Sequence, residues 1–202
     1  MTVDAPEKTS ESQIDPRVAR SRAAILRATA DLLIESGSAG VTIEGISERS
    51  RVAKTTIYRH WKSRSQLVFD AFESLFAPVV PVKPEGSIES QLRRTLWNLT
   101  RALTESEWAP AVSALIEASD RDPELRQLVH DFLLVRMENG REVIRAGKVS
   151  GELRADLDVN VAISMLVGPV FYRRLVSKEP LTLPFTEALV DQFLAGARTP
   201  TR

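Results

Sequence analysis

The stretch Val41-Thr42-Ile43-Glu44-Gly45-Ile46-Ser47-Glu48-Arg49-Ser50-Arg51-Val52-Ala53-Lys54-Thr55-Thr56-Ile57-Tyr58-Arg59-His60-Trp61 holds two short helical periods separated by a tight turn. Thr42 stands where a helix cap belongs, and Ile43 and Ile46 share the inward face of the first short helix. Val52 plugs the turn and Ile57 anchors the second. Two helices of about two turns each bury too little surface to stand alone, so they need a longer helix behind them. The upstream segment supplies one. Asp15-Pro16 is a helix start, a capping carboxylate followed by proline at the first helical position. Val18, Ile25, Leu26, Thr29, Leu32 and Leu33 then form one apolar stripe, which Gly37 and Gly40 end. Downstream, Ser63-Arg64-Ser65-Gln66 fits a capping box and opens a helix carrying Leu67, Phe69, Phe72, Leu75 and Phe76.

Helical periodicity continues beyond this module, and no alternating pattern competes with it. Residues 1–16 are polar and read as a disordered tail. Pro78, Pro81, Pro84 and Gly86 form a linker-like break. About five further helices are predicted: from Ser87 to about Thr104, about Ala109–Ser119, and a long one from Asp122-Pro123 to Gly147 or Gly151. The last two cover about Asp158–Val176 and about Phe185–Ala197. Gly168-Pro169 falls inside the first of these, where a kink is expected. The predicted fold class is all-α, about nine helices. An N-terminal three-helix module spans residues 17–79, with the two short helices and their turn at about 42–61, and a larger bundle spans 80–202.

The whole chain has 202 residues with 27 basic and 27 acidic side chains, a net charge of zero. That balance conceals an asymmetry. Residues 17–67 hold ten bases and four acids, a net of +6, while residues 1–16 and 68–202 each sum to −3. The second short helix turns Lys54, Thr55, Thr56, Tyr58, Arg59 and His60 outward, and no Asp or Glu occurs from Arg49 through Phe69. Such side chains suit phosphate oxygens and base edges, so this face points to double-stranded DNA, with the helix in the major groove. There is no cysteine, which removes disulfides, thiolate nucleophiles and Cys-containing zinc sites. No run of about 18 apolar residues and no signal-peptide pattern is found, so a soluble, cytoplasmic protein without a membrane partner is expected. Glycine-rich nucleotide loops, H-E-x-x-H and G-x-S-x-G are all missing, and the carboxylates Asp120, Asp122, Asp156 and Asp158 sit at helix starts as caps. No enzyme, metal site or cofactor is expected.

The same residues resemble the TetR (tetracycline repressor) family of transcriptional regulators. The resemblance runs from Gly40-Val41-Thr42-Ile43-Glu44-Gly45-Ile46 through Ala53-Lys54-Thr55-Thr56-Ile57-Tyr58-Arg59-His60-Trp61 to Arg64-Ser65-Gln66-Leu67, and covers roughly residues 17–79. Asp156 to Leu181 resembles the C-terminal part of one branch more loosely. Arg51 replaces the usual turn glycine, which implies a left-handed residue at a cost of about 1 kcal/mol. Ala53 replaces the usual Ser or Thr cap, Ser47 an alanine, and Arg64 a lysine. The resemblance and the helix geometry together place Lys54, Thr55, Thr56 and Arg59 on the groove floor, with Lys54 or Arg59 reading guanine. Thr42, Tyr58 and Arg64 are placed on phosphates, His60 on either or against the next helix, and Trp61 in the core.

For the bundle, the resemblance implies a small-molecule effector and a homodimer. Candidate effector-binding residues are Trp97, Trp108, Phe132, Met137, Met165 and Tyr172, each also readable as core; His130 reads as structural or exposed. Candidate dimer residues on the last two helices are Val161, Val170, Phe171, Leu175, Leu189 and Phe193. A dimer would read a palindromic operator with half-sites about one helical turn (34–36 Å), or multiples, apart. The implied mechanism is a repressor released when the effector favours wrongly spaced recognition helices, with the helix from Ser63 as lever. An activator or a ligand-dependent binder is left open by the same residues.

Overall fold

The computed structural model describes residues 15–77, 85–106 and 108–199. Four helices build the N-terminal module: α1 (Pro16–Gly40), α2 (Ile43–Ser50), α3 (Lys54–His60) and α4 (Arg64–Glu73). Six more follow: α5 (Ile88–Glu105), α6 (Ala109–Arg121), α7 (Pro123–Arg136), α8 (Glu138–Ser150), α9 (Val159–Phe171), continued by a π-helical turn Tyr172–Ser177, and α10 (Leu183–Ala197). No β-strand occurs among the described residues. The expected tail lies largely outside them, as does most of the proline-rich break.

Local chemistry explains the helix ends. Asp15 Oδ1 accepts from the Arg17 amide at 2.8 Å, Thr42 from Gly45, Ser63 from Gln66 and Asp122 from Leu125, each satisfying an orphan amide. Gly37, with φ +67°, breaks the helical path within the last turn of α1. Arg51 has φ 58° and ψ 28°, the left-handed conformation its place in the turn demands, and Ala53 caps α3 with no side-chain bond. Ser47 Oγ donates to Val52 O at 2.8 Å and holds the turn closed.

Ile25, Leu33, Val41, Ile46, Ile57 and Leu67 are almost fully buried together, so the short helices are packed on the long one. Trp61 joins this core and donates its indole N–H to Asp70 at 2.9 Å, a carboxylate also held by Arg22 at 3.0 Å. The same core runs on into the bundle through Phe69, Phe72, Leu92, Leu115 and Ile163.

Two expectations about the bundle change. The single long helix from Asp122 divides at Met137 into α7 and α8. Arg141 donates to Leu134 O at 2.9 Å and to Asn160 at 3.2 Å, so a buried guanidinium binds the junction to α9. Gly140 passes so close to Ile163 that an added Cβ would lie 2.6 Å from its Cδ1. Pro169 does not interrupt α9 sharply: the helix widens into the π-helical turn, where the Tyr172 amide reaches Gly168 O and Pro169 O. Val159–Ser177 is thereby a continuous 19-residue helix of mean hydropathy 1.3, long and apolar enough by length and composition to cross a membrane. Ala162, Ile163, Leu166 and Val170 on its inner side are core.

Candidate DNA-binding face and internal cavity

α3 lies at the surface with Ile57 driven into the core, which fixes its rotation. Thr55, Tyr58 and Arg59 are exposed, Tyr58 by 63%, and their side chains make no hydrogen bond or ion pair with described residues. Thr56 and His60 are half-buried; the His60 ring stands 5.5 Å from that of Trp61. Lys54 is exposed, but its Nζ is 2.5 Å from Glu44 Oε1 on α2. That bond holds the Glu44 carboxyl below its ordinary range and the Lys54 ammonium above its own. Behind it, Arg49 grips Glu35 with both nitrogens, at 2.9 and 2.7 Å.

Thr42 is exposed at the N-terminus of α2 while its Oγ1 accepts from Gly45 at 3.1 Å. Arg64 differs from its expected placing on phosphate. Its Nε donates to Val41 O at 3.0 Å and its Nη2 to Ser38 O, so the guanidinium ties α4 to the end of α1 and has only its remaining N–H groups for an outside partner.

Between α4 and the bundle lies a cavity of about 350 Å³. Its wall is drawn from α5 to α9, from Phe72 in the last turn of α4 and from Phe76 in the turn that follows it. Phe76 sits at the hub of an aromatic cluster, with ring centroids 4.8 Å from Phe72, 4.0 Å from Trp108 and 5.1 Å from Phe132. Edge-on and tilted rings of this kind attract one another beyond their burial. A more open groove of about 580 Å³ shares Phe76, Phe132 and Arg136 with the cavity and is edged by Glu73 and Asp131.

Trp108, Phe132 and Met137 line the cavity as the sequence suggested. Trp97, Met165 and Tyr172 do not: Trp97 is half-buried elsewhere, and the other two lie on the outer side of α9 and its π-helical turn, more than half exposed. Helical period is the reason, since an outer stripe runs Val161, Met165, Tyr172, Val176. The expected dimer residues shift correspondingly. Val170 and Phe193 are buried in the chain's own core, Phe171 lines the cavity, and Leu175 and Leu189 are half-buried, leaving Val161 exposed. His130 is exposed. Phe72, Phe76, Arg136 and the polar Thr95, Asn98 and Asn139 went unforeseen. One signal was present: Arg136 is a lone cation inside the apolar run Phe132-Leu133-Leu134-Val135-Arg136-Met137.

At the other end of α4, Ser63 Oγ donates to Glu124 at 2.8 Å and Ser65 Oγ to Asp122. Asp122 also caps α7, and the Ser65 bond together with the backbone amides lowers its pKa. The helix that begins beside α3 is thus latched to α7 at its start and enters the cavity wall at its end.

Comparison with known proteins agrees with this layout. Residues 25–71 match the model of the tetR family of bacterial regulatory proteins, and residues 82–193 that of the tetracyclin repressor-like C-terminal domain. The chain belongs to the TetR family. This TetR-family protein is 33% identical to the HTH-type transcriptional regulator YdeS of Bacillus subtilis (strain 168), over 91% of its own length and 92% of the relative's. It is 28% identical to the HTH-type transcriptional regulator AqdR of Rhodococcus erythropolis, over 83% and 82%. Among solved structures, the TetR family transcription regulator SCO0332 is similar at 30% identity and a TM-score of 0.65, covering 88% of this chain and 98% of that one. The protein is therefore a DNA-binding transcriptional regulator with a helix-turn-helix at α2–α3, of a family that is not an enzyme class.

Proposed function

We propose that this regulator is a cytoplasmic, homodimeric repressor that leaves a palindromic operator when a small molecule fills the internal cavity. The observation that carries this reading is the double engagement of α4, which opens beside the recognition helix α3 and reaches the cavity wall through Phe72 and, in the turn after it, Phe76. A ligand that displaces Phe76 acts on the turn that closes α4, which follows α3 directly in the chain and packs on α1, so its differential binding energy appears as a change in operator affinity, typically by about 1–3 kcal/mol. At the DNA, Arg59 and Lys54 are the candidate guanine readers, Thr55 and Thr56 the adjoining base contacts, and Thr42, Tyr58 and the free edge of Arg64 the phosphate contacts; His60 belongs with either set. Lys54 must leave Glu44 to serve.

Dimerisation is assigned to the outer stripe of Val161, Met165, Tyr172 and Val176, between 56% and 66% exposed in the single chain. An apolar stripe of this kind on a helix is suited to an isologous contact with its copy across a two-fold axis. The test is a gel shift on operator fragments selected from random DNA, followed by a compound screen for release, with sedimentation at micromolar concentration. The reading requires a dimer that binds DNA without ligand and lets go with it. A monomer, or binding that appears only with ligand, would contradict it.

A further inference from the structure

Among the described residues that line the cavity, Arg136 is the one formal charge and no Asp or Glu is present; Thr95, Asn98, Asn139 and the Trp108 indole supply the other polar groups. Its guanidinium carbon lies 4.7 Å from the Phe76 ring centroid and 4.9 Å from that of Phe132. It is half-buried and has no hydrogen bond or ion pair with any described residue. Glu73 acts on it only from beyond ion-pair distance, and burial lowers its pKa. Two phenyl faces recover part of the cost of taking this cation from water, but they satisfy none of its five N–H donors in the plane. The planar fork that remains is the geometry that binds a carboxylate or phosphate through two parallel bonds. A cationic guest would instead meet a like charge in a poorly solvated space.

We propose that the cavity takes an anionic amphiphile, with its carboxylate or phosphate head on Arg136 and its hydrocarbon body among the apolar walls. This rests on the reading of the cavity as the effector site and adds the chemical class of the effector. It also supplies a route for the signal. An anion that pairs with Arg136 competes with the stack on Phe76, which lies in the turn that closes α4, the helix that begins beside the helix-turn-helix.

The test is isothermal titration of the full-length, DNA-free protein with decanoate, decyl phosphate, decanol and decylammonium, each below its micelle threshold. Decanoate or decyl phosphate is expected to bind at least about tenfold more tightly than decanol, since bonds to charged groups are the strong ones. Arg136→Gln should remove that advantage, the anion binding no more tightly than decanol to the same variant, with a urea melt showing that the variant folds, and Arg136→Lys should restore part of it. Equal affinity for anion and alcohol, undiminished anion binding by Arg136→Gln, tightest binding of decylammonium, or no anion binding would each overturn the inference. Operator affinity, measured separately, distinguishes it from the release mechanism. Anion binding that needs Arg136 but leaves DNA affinity unchanged keeps the ligand class and removes release. Release by neutral or cationic compounds, with no binding of the anions, does the reverse.

Discussion

The helix-turn-helix and the bundle solve opposite problems with the same helical material. In the N-terminal module the anchoring apolar groups are drawn inward, Ile46 and Ile57 to 1% exposure or less, and the working groups Thr55, Tyr58 and Arg59 are left outside without partners among the described residues. In the bundle the working surface is inside: a cavity of about 350 Å³ walled largely by Phe, Leu and Trp, with a single cation among the described residues. The outer surface there carries the apolar stripe instead. A rigid, close-packed support suits a helix that must match a groove to within a hydrogen-bond length. An incompletely filled interior suits a site whose occupancy must be able to change. The two meet in α4, which belongs to the packed core at Leu67 and Val68 and to the cavity at Phe72, with Phe76 in the turn that closes it.

The sharpest way to break this contrast is Ile57→Ala. If the module is as tightly packed as its burial indicates, the substitution destabilises it by about 2–5 kcal/mol, read in a urea melt followed by the fluorescence of the neighbouring Trp61. A loss below about 1 kcal/mol would mean that the support is loose. Arg59→Ala comes next. Operator affinity is expected to fall by about 1–3 kcal/mol, with much less change on scrambled DNA, in a fluorescence anisotropy titration. Equal losses on both DNAs would reassign Arg59 to phosphate.

Asp122 tests the joint between the regions through pH. Its folded pKa lies below the ordinary carboxylate value because of Ser65 and the backbone amides. Its contribution is therefore complete above that ordinary value and disappears as pH falls through the lowered one. Asp122→Ala should cost about 1 kcal/mol at neutral pH and flatten the acid limb of the stability profile. An unchanged acid limb would show that the latch does not couple to folding. The smallest expected effect is Glu44→Gln. Freed from its exposed partner, Lys54 should steepen the slope of log affinity against log salt by about 0.9, the increment for one phosphate, if it reaches the backbone. No change in slope would confine Lys54 to a base edge.

How much was readable from sequence follows the same division. The module's helix boundaries, the left-handed Arg51, the uncapped Ala53 and the buried Trp61 follow from residues within a few positions of one another. The cavity follows from none, because six helix segments meet around it and packing selects which face of each looks in. So Met165 and Tyr172, apolar and suitably spaced, look out, while Phe171 looks in. The division of α7 from α8 was equally hidden, for it depends on Arg141 reaching Asn160 nineteen residues away and on the close pass of Gly140 over Ile163. Arg64 was legible as a cation at the right place, but its bonds to Ser38 O and Val41 O depend on how α1 ends.

The central claim is that occupation of the cavity is felt at α3 through α4. Ala102 on α5 lines the cavity without belonging to α4 or to the module, so a larger side chain there fills space far from the DNA. The most direct measurement is the operator affinity of Ala102→Phe, made on protein that a urea melt shows to be folded. The account predicts affinity weakened by at least about fivefold, the lower end of typical coupling between sites. A folded Ala102→Phe protein with a filled cavity and the wild-type operator affinity would contradict it.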